Sequence, residues 1–73
     1  MSEQSNELKK LTAIASDLEL SAELRIRAIE SLGRIGNHEA LLVLLDLAGN
    51  EGLIGKEREL ALKQAQRIIK SIR

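Results

Sequence analysis

The sequence predicts an all-α protein of four helices, and three observations support this class. Apolar residues recur at spacings of three and four over most of the chain, which is the period of an amphipathic helix. The 73 residues include no proline and no aromatic residue, and leucine, isoleucine and alanine supply most of the hydrophobic 44%. Glycines and helix-capping residues separate the periodic segments.

Length and composition limit the function classes. We expect one domain, 1–73, with a small core and with residues 1–4 disordered. The net charge of +0 gives no overall attraction to nucleic acid or to an acidic membrane, and the absence of cysteine excludes disulfides and thiol catalysis. The N-terminus lacks the features of a secretory signal and no apolar stretch approaches the roughly 20 residues of a membrane span, so we expect a cytoplasmic location.

The first two helices are predicted on either side of a short link. The first runs from Asn6 to about Asp17 with Ser5 or Asn6 as its N-cap, and its apolar face is formed by Leu8, Leu11, Ile14, Ala15 and Leu18. The second is capped by Ser21 and ends at Gly36. Its apolar residues form two stripes, which predict two neighbours: Leu24, Ala28, Leu32 and Ile35 in one, Ile26 and Ile29 in the other.

Gly33 lies inside the second predicted helix. Glycine there costs about 1 kcal/mol relative to alanine, so we expect a neighbouring backbone to approach closely.

The most apolar stretch, 37–48, predicts a central third helix. Asn37 can cap its first turn, and the negative charge of Glu39 is favourable near the positive end of the helix dipole. Gly49 can adopt the left-handed conformation that ends a helix. Because Asp46 is the only charged residue among the last nine, we expect this helix to be covered on more than one face.

A glycine-rich segment, 49–55, precedes the fourth predicted helix. We expect Leu53 and Ile54 to fold back onto the core. The fourth helix runs from about Lys56 to Ile72, with Ala61, Ala65, Ile68 and Ile72 on one face and Leu62 and Ile69 on a second. Short connections between four helices predict antiparallel neighbours.

The sequence repeats itself with a shift of 33 positions. The shift relates the second helix to the fourth through the pairs Arg25 and Arg58, Ala28 and Ala61, and Ile35 and Ile68. It relates the first helix to the third through Leu8 and Leu41, Leu11 and Leu44, Ile14 and Leu47, and Ala15 and Ala48. The chain is therefore interpreted as half a repeat, one full repeat and another half.

The full repeat contains Leu24-Arg25-x-x-Ala28, then Leu-Gly-x-Ile-Gly at 32–36 and Glu-Ala-Leu at 39–41. With these motifs, residues 21–48 resemble a HEAT repeat, especially the short repeats of phycobilin-lyase-related and archaeal proteins. Where that family usually has Asp-Pro, this chain has Asn37-His38, which keeps a capping acceptor and loses the proline. The resemblance implies a fragment of an α-α superhelix that presents helix faces to protein partners, and some relatives are lyases or DNA-repair proteins.

No residue pattern is typical of a catalytic, cofactor or metal site. His38 is the only histidine, and we expect it to be solvated at its helix start. The carboxylates Glu51, Glu57 and Glu59 are interpreted as complements of the helix dipole, with Glu59 paired to Lys63 one turn later. We therefore predict that the protein is not an enzyme and needs no cofactor.

The fourth helix carries the candidate partner-binding residues. Lys63, Arg67 and Lys70 share one face, but nucleic acid is disfavoured because no aromatic side chain is available to stack on bases. Leu62 and Ile69 continue an apolar pattern that a further repeat would cover, which predicts a protein partner or a second copy in a homodimer.

Together these features predict a non-enzymatic protein-protein interaction module that can self-associate. Two alternatives stay open. One is a nucleic-acid-associated protein that uses the basic face of the last helix. The other is an accessory relative of a HEAT-like enzyme such as a lyase.

Overall fold

The computed structural model describes the backbone of residues 3–72 and the side chains of residues 6–72. Within this range the chain forms four α-helices and no strand, so the predicted all-α class is confirmed. The helices are α1 (Glu3–Ser16), α2 (Ala22–Ile35), α3 (His38–Ala48) and α4 (Gly55–Ile72). The predicted ends of the last three helices agree with these bounds to within one residue.

The start of α1 differs from the prediction. The helix begins at Glu3, so Ser5 and Asn6 lie inside it and neither residue is its N-cap. Residues 3 and 4, which were expected to be disordered, are helical, whereas residues 1 and 2 lie outside the described part of the chain.

The caps of α2 and α3 confirm the predictions made from local sequence. Ser21 Oγ accepts a hydrogen bond from the Leu24 N–H at 3.3 Å, and Asn37 Oδ1 accepts one from the Ala40 N–H at 2.8 Å. Gly36 has a φ of 63° and ends α2 in the left-handed conformation. Each cap satisfies backbone groups that the helix end leaves without a partner.

The end of α3 does not follow the expected conformation. Gly49 has a φ of −93°, so the prediction of a left-handed stop was wrong. Its N–H instead donates to the carbonyls of Leu45 and Asp46, both at 3.2 Å. This shared hydrogen bond closes the last turn without a positive φ, as is common at helix ends.

Two helices, α2 and α3, each contact all three of the others, whereas α1 and α4 do not contact each other within residues 3–72. The Cα atoms extend over 32 × 27 × 16 Å, so the short dimension has room for two packed helices. The outer side of α3 stays exposed at Leu42 and Leu45, so the expected cover of this helix is incomplete.

The core consists of thirteen buried hydrophobic residues drawn from all four helices and from the segment before α4: Leu8, Ala15, Ala28, Ile29, Leu32, Ala40, Leu41, Leu44, Leu47, Leu53, Ala61, Ala65 and Ile68. Leu53 is buried, as expected. The same expectation was wrong for Ile54, whose carbonyl accepts from the first turn of α4 while its side chain stays exposed. Leu24 and Ile72, predicted on apolar faces, are also exposed.

The close approach expected at Gly33 does occur, but the approaching group is a side chain. A Cβ atom at this position would clash with Oε1 of Gln64 on α4. The Cβ atom of Gln64 would lie 3.1 Å from the added atom, so Gly33 makes room for the side chain of Gln64 where α4 lies close to α2.

The two helix-ending glycines give a matched test of backbone conformation. Because Gly36 alone needs a positive φ, Gly36→Ala should lower the free energy of unfolding by about 1 kcal/mol in urea titrations. Gly49→Ala is the control, since its φ suits any residue, and should leave stability unchanged or raise it by a few tenths of a kcal/mol. Equal losses at both positions would contradict the assigned conformations.

Candidate functional site

All five predicted partner-binding residues lie on the surface of α4. Leu62 is 44% exposed and Ile69 is 40% exposed, and the side chains of Lys63, Arg67 and Lys70 are exposed as well. Successive residues of a helix are turned by about 100°, so the five do not form one patch. We name Leu62 and Ile69 the apolar stripe, and Lys63, Arg67 and Lys70 the basic stripe.

The basic stripe borders α2. Lys63 lines a groove between the two helices together with Ile26 and Glu59. Arg67 lines the next groove along α4, together with Glu30 and Arg34. A carboxylate therefore stands beside the basic stripe in both grooves, which weakens its positive potential.

The apolar stripe lies on the opposite flank of α4. The buried face of this helix is formed by Glu57, Ala61, Ala65 and Ile68. On one side of that face, Leu60 and Gln64 line the grooves toward α2. By helix geometry Leu62 and Ile69 lie on the other side. The apolar stripe is thus turned away from α2, and both of its side chains are partly exposed.

A buried ion pair holds α4 against α2. Arg25 Nε donates to Glu57 Oε1 at 2.9 Å, and Arg25 Nη2 donates to Glu57 Oε2 at 3.0 Å. The carboxylate is fully buried and Arg25 is only 7% exposed. Two parallel hydrogen bonds of this kind fix both the distance and the orientation of the two side chains.

The same guanidinium also fastens the turn between α1 and α2. Arg25 Nη1 donates to the carbonyls of Leu20 at 2.6 Å and of Asp17 at 3.2 Å. The hydrogen bond with Glu57 raises the pKa of Arg25, against the opposing effect of burial. No buried side-chain nitrogen or oxygen of the described residues lacks a hydrogen-bond partner. The polar atoms of this pair are therefore committed to holding three parts of the chain together.

Sequence reasoning missed this pair. Glu57 was interpreted as a complement of the helix dipole, whereas it is a buried partner of Arg25. A signal was present, because Arg25 lies next to Leu24 and Ala28 on a helix face expected to be apolar, and a charge on such a face needs a partner. Nothing in the sequence indicated which carboxylate that partner is.

Arg58 repeats part of the role of Arg25. These two residues are related by the shift of 33 positions. Arg58 Nε donates to the carbonyl of Ala48, at the end of α3, at 3.0 Å. Both arginines thus fasten the chain segment that precedes their own helix.

The other side chains considered as chemical groups do not form a site. His38, Glu51 and Glu59 are exposed, and the predicted ion pair between Glu59 and Lys63 does not form. Across the described residues no three histidine or carboxylate side chains are grouped as metal ligands. None of the four helices, over the same residues, is both long enough and apolar enough to cross a bilayer.

Comparisons with protein-family models, with curated proteins and with solved structures find no match to this chain. The resemblance of residues 21–48 to HEAT repeats therefore remains a prediction from the sequence.

The buried pair predicts a large loss of stability when its carboxylate is removed. In Glu57→Ala the guanidinium of Arg25 would stay in the core without its partner, so Tm should fall by about 15 °C in thermal melts followed by circular dichroism.

The second ion pair of the described chain supplies the control. Glu23 and Arg27 lie at 2.9 Å on the surface of α2, with side chains 73% and 69% exposed. Glu23→Ala should therefore change Tm by no more than about 3 °C. A loss in Glu57→Ala as small as in Glu23→Ala would show that the buried pair does not hold the fold.

Proposed function

We propose that the protein is a non-enzymatic protein-protein interaction module whose helices are arranged as in HEAT repeats. In this arrangement α1 is half a repeat, α2 and α3 form a full repeat, α4 is the second half, and neighbouring helices run antiparallel. The shift of 33 positions pairs α2 with α4 and α1 with α3, and the members of each pair lie against each other. This agreement between the repeat and the contacts supports the proposal.

The observation that carries the proposal is the difference between Ile29 and Leu62. The shift places these two residues at equivalent positions of α2 and α4. Ile29 is 0% exposed, whereas Leu62 is 44% exposed. In a repeat array the next layer covers this position, so Leu62 on α4 is a side chain suited to an interface with a further helix.

The occupant that fits the apolar stripe is a helix of a protein partner. Leu62 and Ile69 are separated by two helical turns, which is the spacing of the contacts that two packed helices make. Burying two large aliphatic side chains supplies a favourable free energy that an isolated domain leaves unused. The carboxylates of Glu30 and Glu59 beside the basic stripe favour this protein partner over nucleic acid. The proposal keeps the cytoplasmic location expected from the sequence.

Site-specific photocrosslinking tests this function. Benzoylphenylalanine is placed at position 62 or 69 of the full chain in the cells that produce it, and we expect covalent adducts that a protease removes and a nuclease does not. Leu24 supplies the matched control position, because it is 43% exposed on α2 and outside the apolar stripe. Adducts of equal yield from positions 24 and 62, adducts sensitive to nuclease, or none at all would overturn the proposal.

A further inference from the structure

The apolar stripe is arranged symmetrically along α4, which bears on the identity of its occupant. Leu62 and Ile69 lie about 10 Å apart along the helix, and the midpoint between them falls at residues 65 and 66. At this midpoint Ala65 is fully buried, and the neighbouring Gln66 is exposed. An antiparallel second α4 centred on the same point would place Leu62 against Ile69 of the other copy, twice.

Two charged side chains beside the apolar stripe, Glu59 and Lys70, are centred at nearly the same point along α4 as the stripe itself. Glu59 and Lys70 are both exposed, and neither forms an ion pair within the described chain. Their eleven-residue separation is close to three helical turns, so they lie on one side of α4. Their midpoint is one residue, or about 1.5 Å along the axis, from that of the apolar stripe. An antiparallel pair of helices would thus bring Glu59 toward Lys70 of the other copy at both ends.

We propose that the occupant of the apolar stripe is a second copy of this chain, with the two α4 helices packed antiparallel across a two-fold axis. This inference rests on the proposed function, because it names the partner of the same surface. A parallel arrangement would set Glu59 near Glu59 and Lys70 near Lys70, so the charges favour the antiparallel one. The net charge of +0 gives two copies no overall repulsion.

Head-to-tail stacking of copies fits the sequence less well. By the shift of 33 positions, Leu24 stands in α2 where Glu57 stands in α4. In a head-to-tail stack, Leu24 of the next copy would therefore face Arg58. The equivalent arginine within the chain, Arg25, is instead paired with the carboxylate of Glu57. In a two-fold dimer the same patch of both copies forms the contact, so assembly stops at two copies. This contact does not require a carboxylate to pair with Arg58.

The mass in solution is the first test. Sedimentation equilibrium of the full chain should give twice the chain mass of 8.0 kDa at high micromolar concentration. Leu62→Asp should weaken association at least about tenfold, since it places an unpaired charge in the contact. Leu24→Asp, at a side chain of nearly equal exposure, should leave the dimer intact. Circular dichroism on each variant shows whether it is folded.

Charge reversal tests the antiparallel arrangement without touching the apolar residues. Glu59→Lys and Lys70→Glu should each weaken the dimer about tenfold at low salt, because each sets two like charges together at both ends. The double variant exchanges the charges and should restore the dissociation constant to within about threefold. A merely structural role of either residue would not produce this rescue.

The outcomes separate this inference from the proposed function. A chain that stays at 8.0 kDa up to millimolar concentration would overturn the second copy as occupant, while adducts from position 62 to a different protein would still support an interaction module. A dimer that Leu62→Asp leaves unchanged would place the contact elsewhere. A double charge reversal that is no tighter than the single variants would overturn the antiparallel arrangement.

Discussion

The bidentate ion pair between Arg25 and Glu57 is the interaction on which the rest of the structure depends. It joins residues 32 positions apart, and the same guanidinium holds the turn after α1 through two backbone carbonyls. The hydrophobic effect is non-directional, whereas paired hydrogen bonds accept one distance and one orientation. The pair therefore sets how α4 lies on α2, and with it which side of α4 is left exposed.

This placement explains why Leu62 and Ile69 are available to a partner. The face of α4 with Glu57 and Ala61 is turned into the core, so one flank of the helix borders the grooves toward α2 and the other flank carries the partly exposed apolar stripe. Exposed aliphatic residues on one helix flank are costly for a chain of 73 residues, which buries only a modest fraction of its surface. A partner that covers these side chains raises the free energy of unfolding, because it binds the folded chain.

The sequence was sufficient for features that depend on neighbours in the chain. The caps at Ser21 and Asn37 involve backbone groups three residues away, and Gly36 adopts its conformation within a single turn. The five candidate residues on α4 are exposed as expected, because the helical period alone places them outside the buried face. The division of these five residues into two stripes follows from the same helical period once α2 is known to lie on one side of α4.

Features that depend on distant residues were not predictable in the same way. The partner of Arg25 and the side chain that fills the space at Gly33 both come from α4, and several residues of similar chemistry were available there. Ile54 is as apolar as Leu53, yet only one of the two can turn inward where the chain enters a helix. Which residue is paired or buried in each of these cases depends on how the helices pack against one another, and no local sequence pattern specifies that packing.

The most direct measurement of the central claim, that the apolar stripe binds the α4 helix of a second copy, is an isotope-filtered NOE experiment on an equal mixture of labelled and unlabelled chains. Within one chain the methyl groups of Leu62 and Ile69 are about two helical turns apart, too far for a strong direct NOE. We predict intermolecular NOEs between these two residues. Intermolecular NOEs that involve Leu24 and not Leu62, or none at millimolar concentration, would contradict the claim that the apolar stripe is occupied by a second α4.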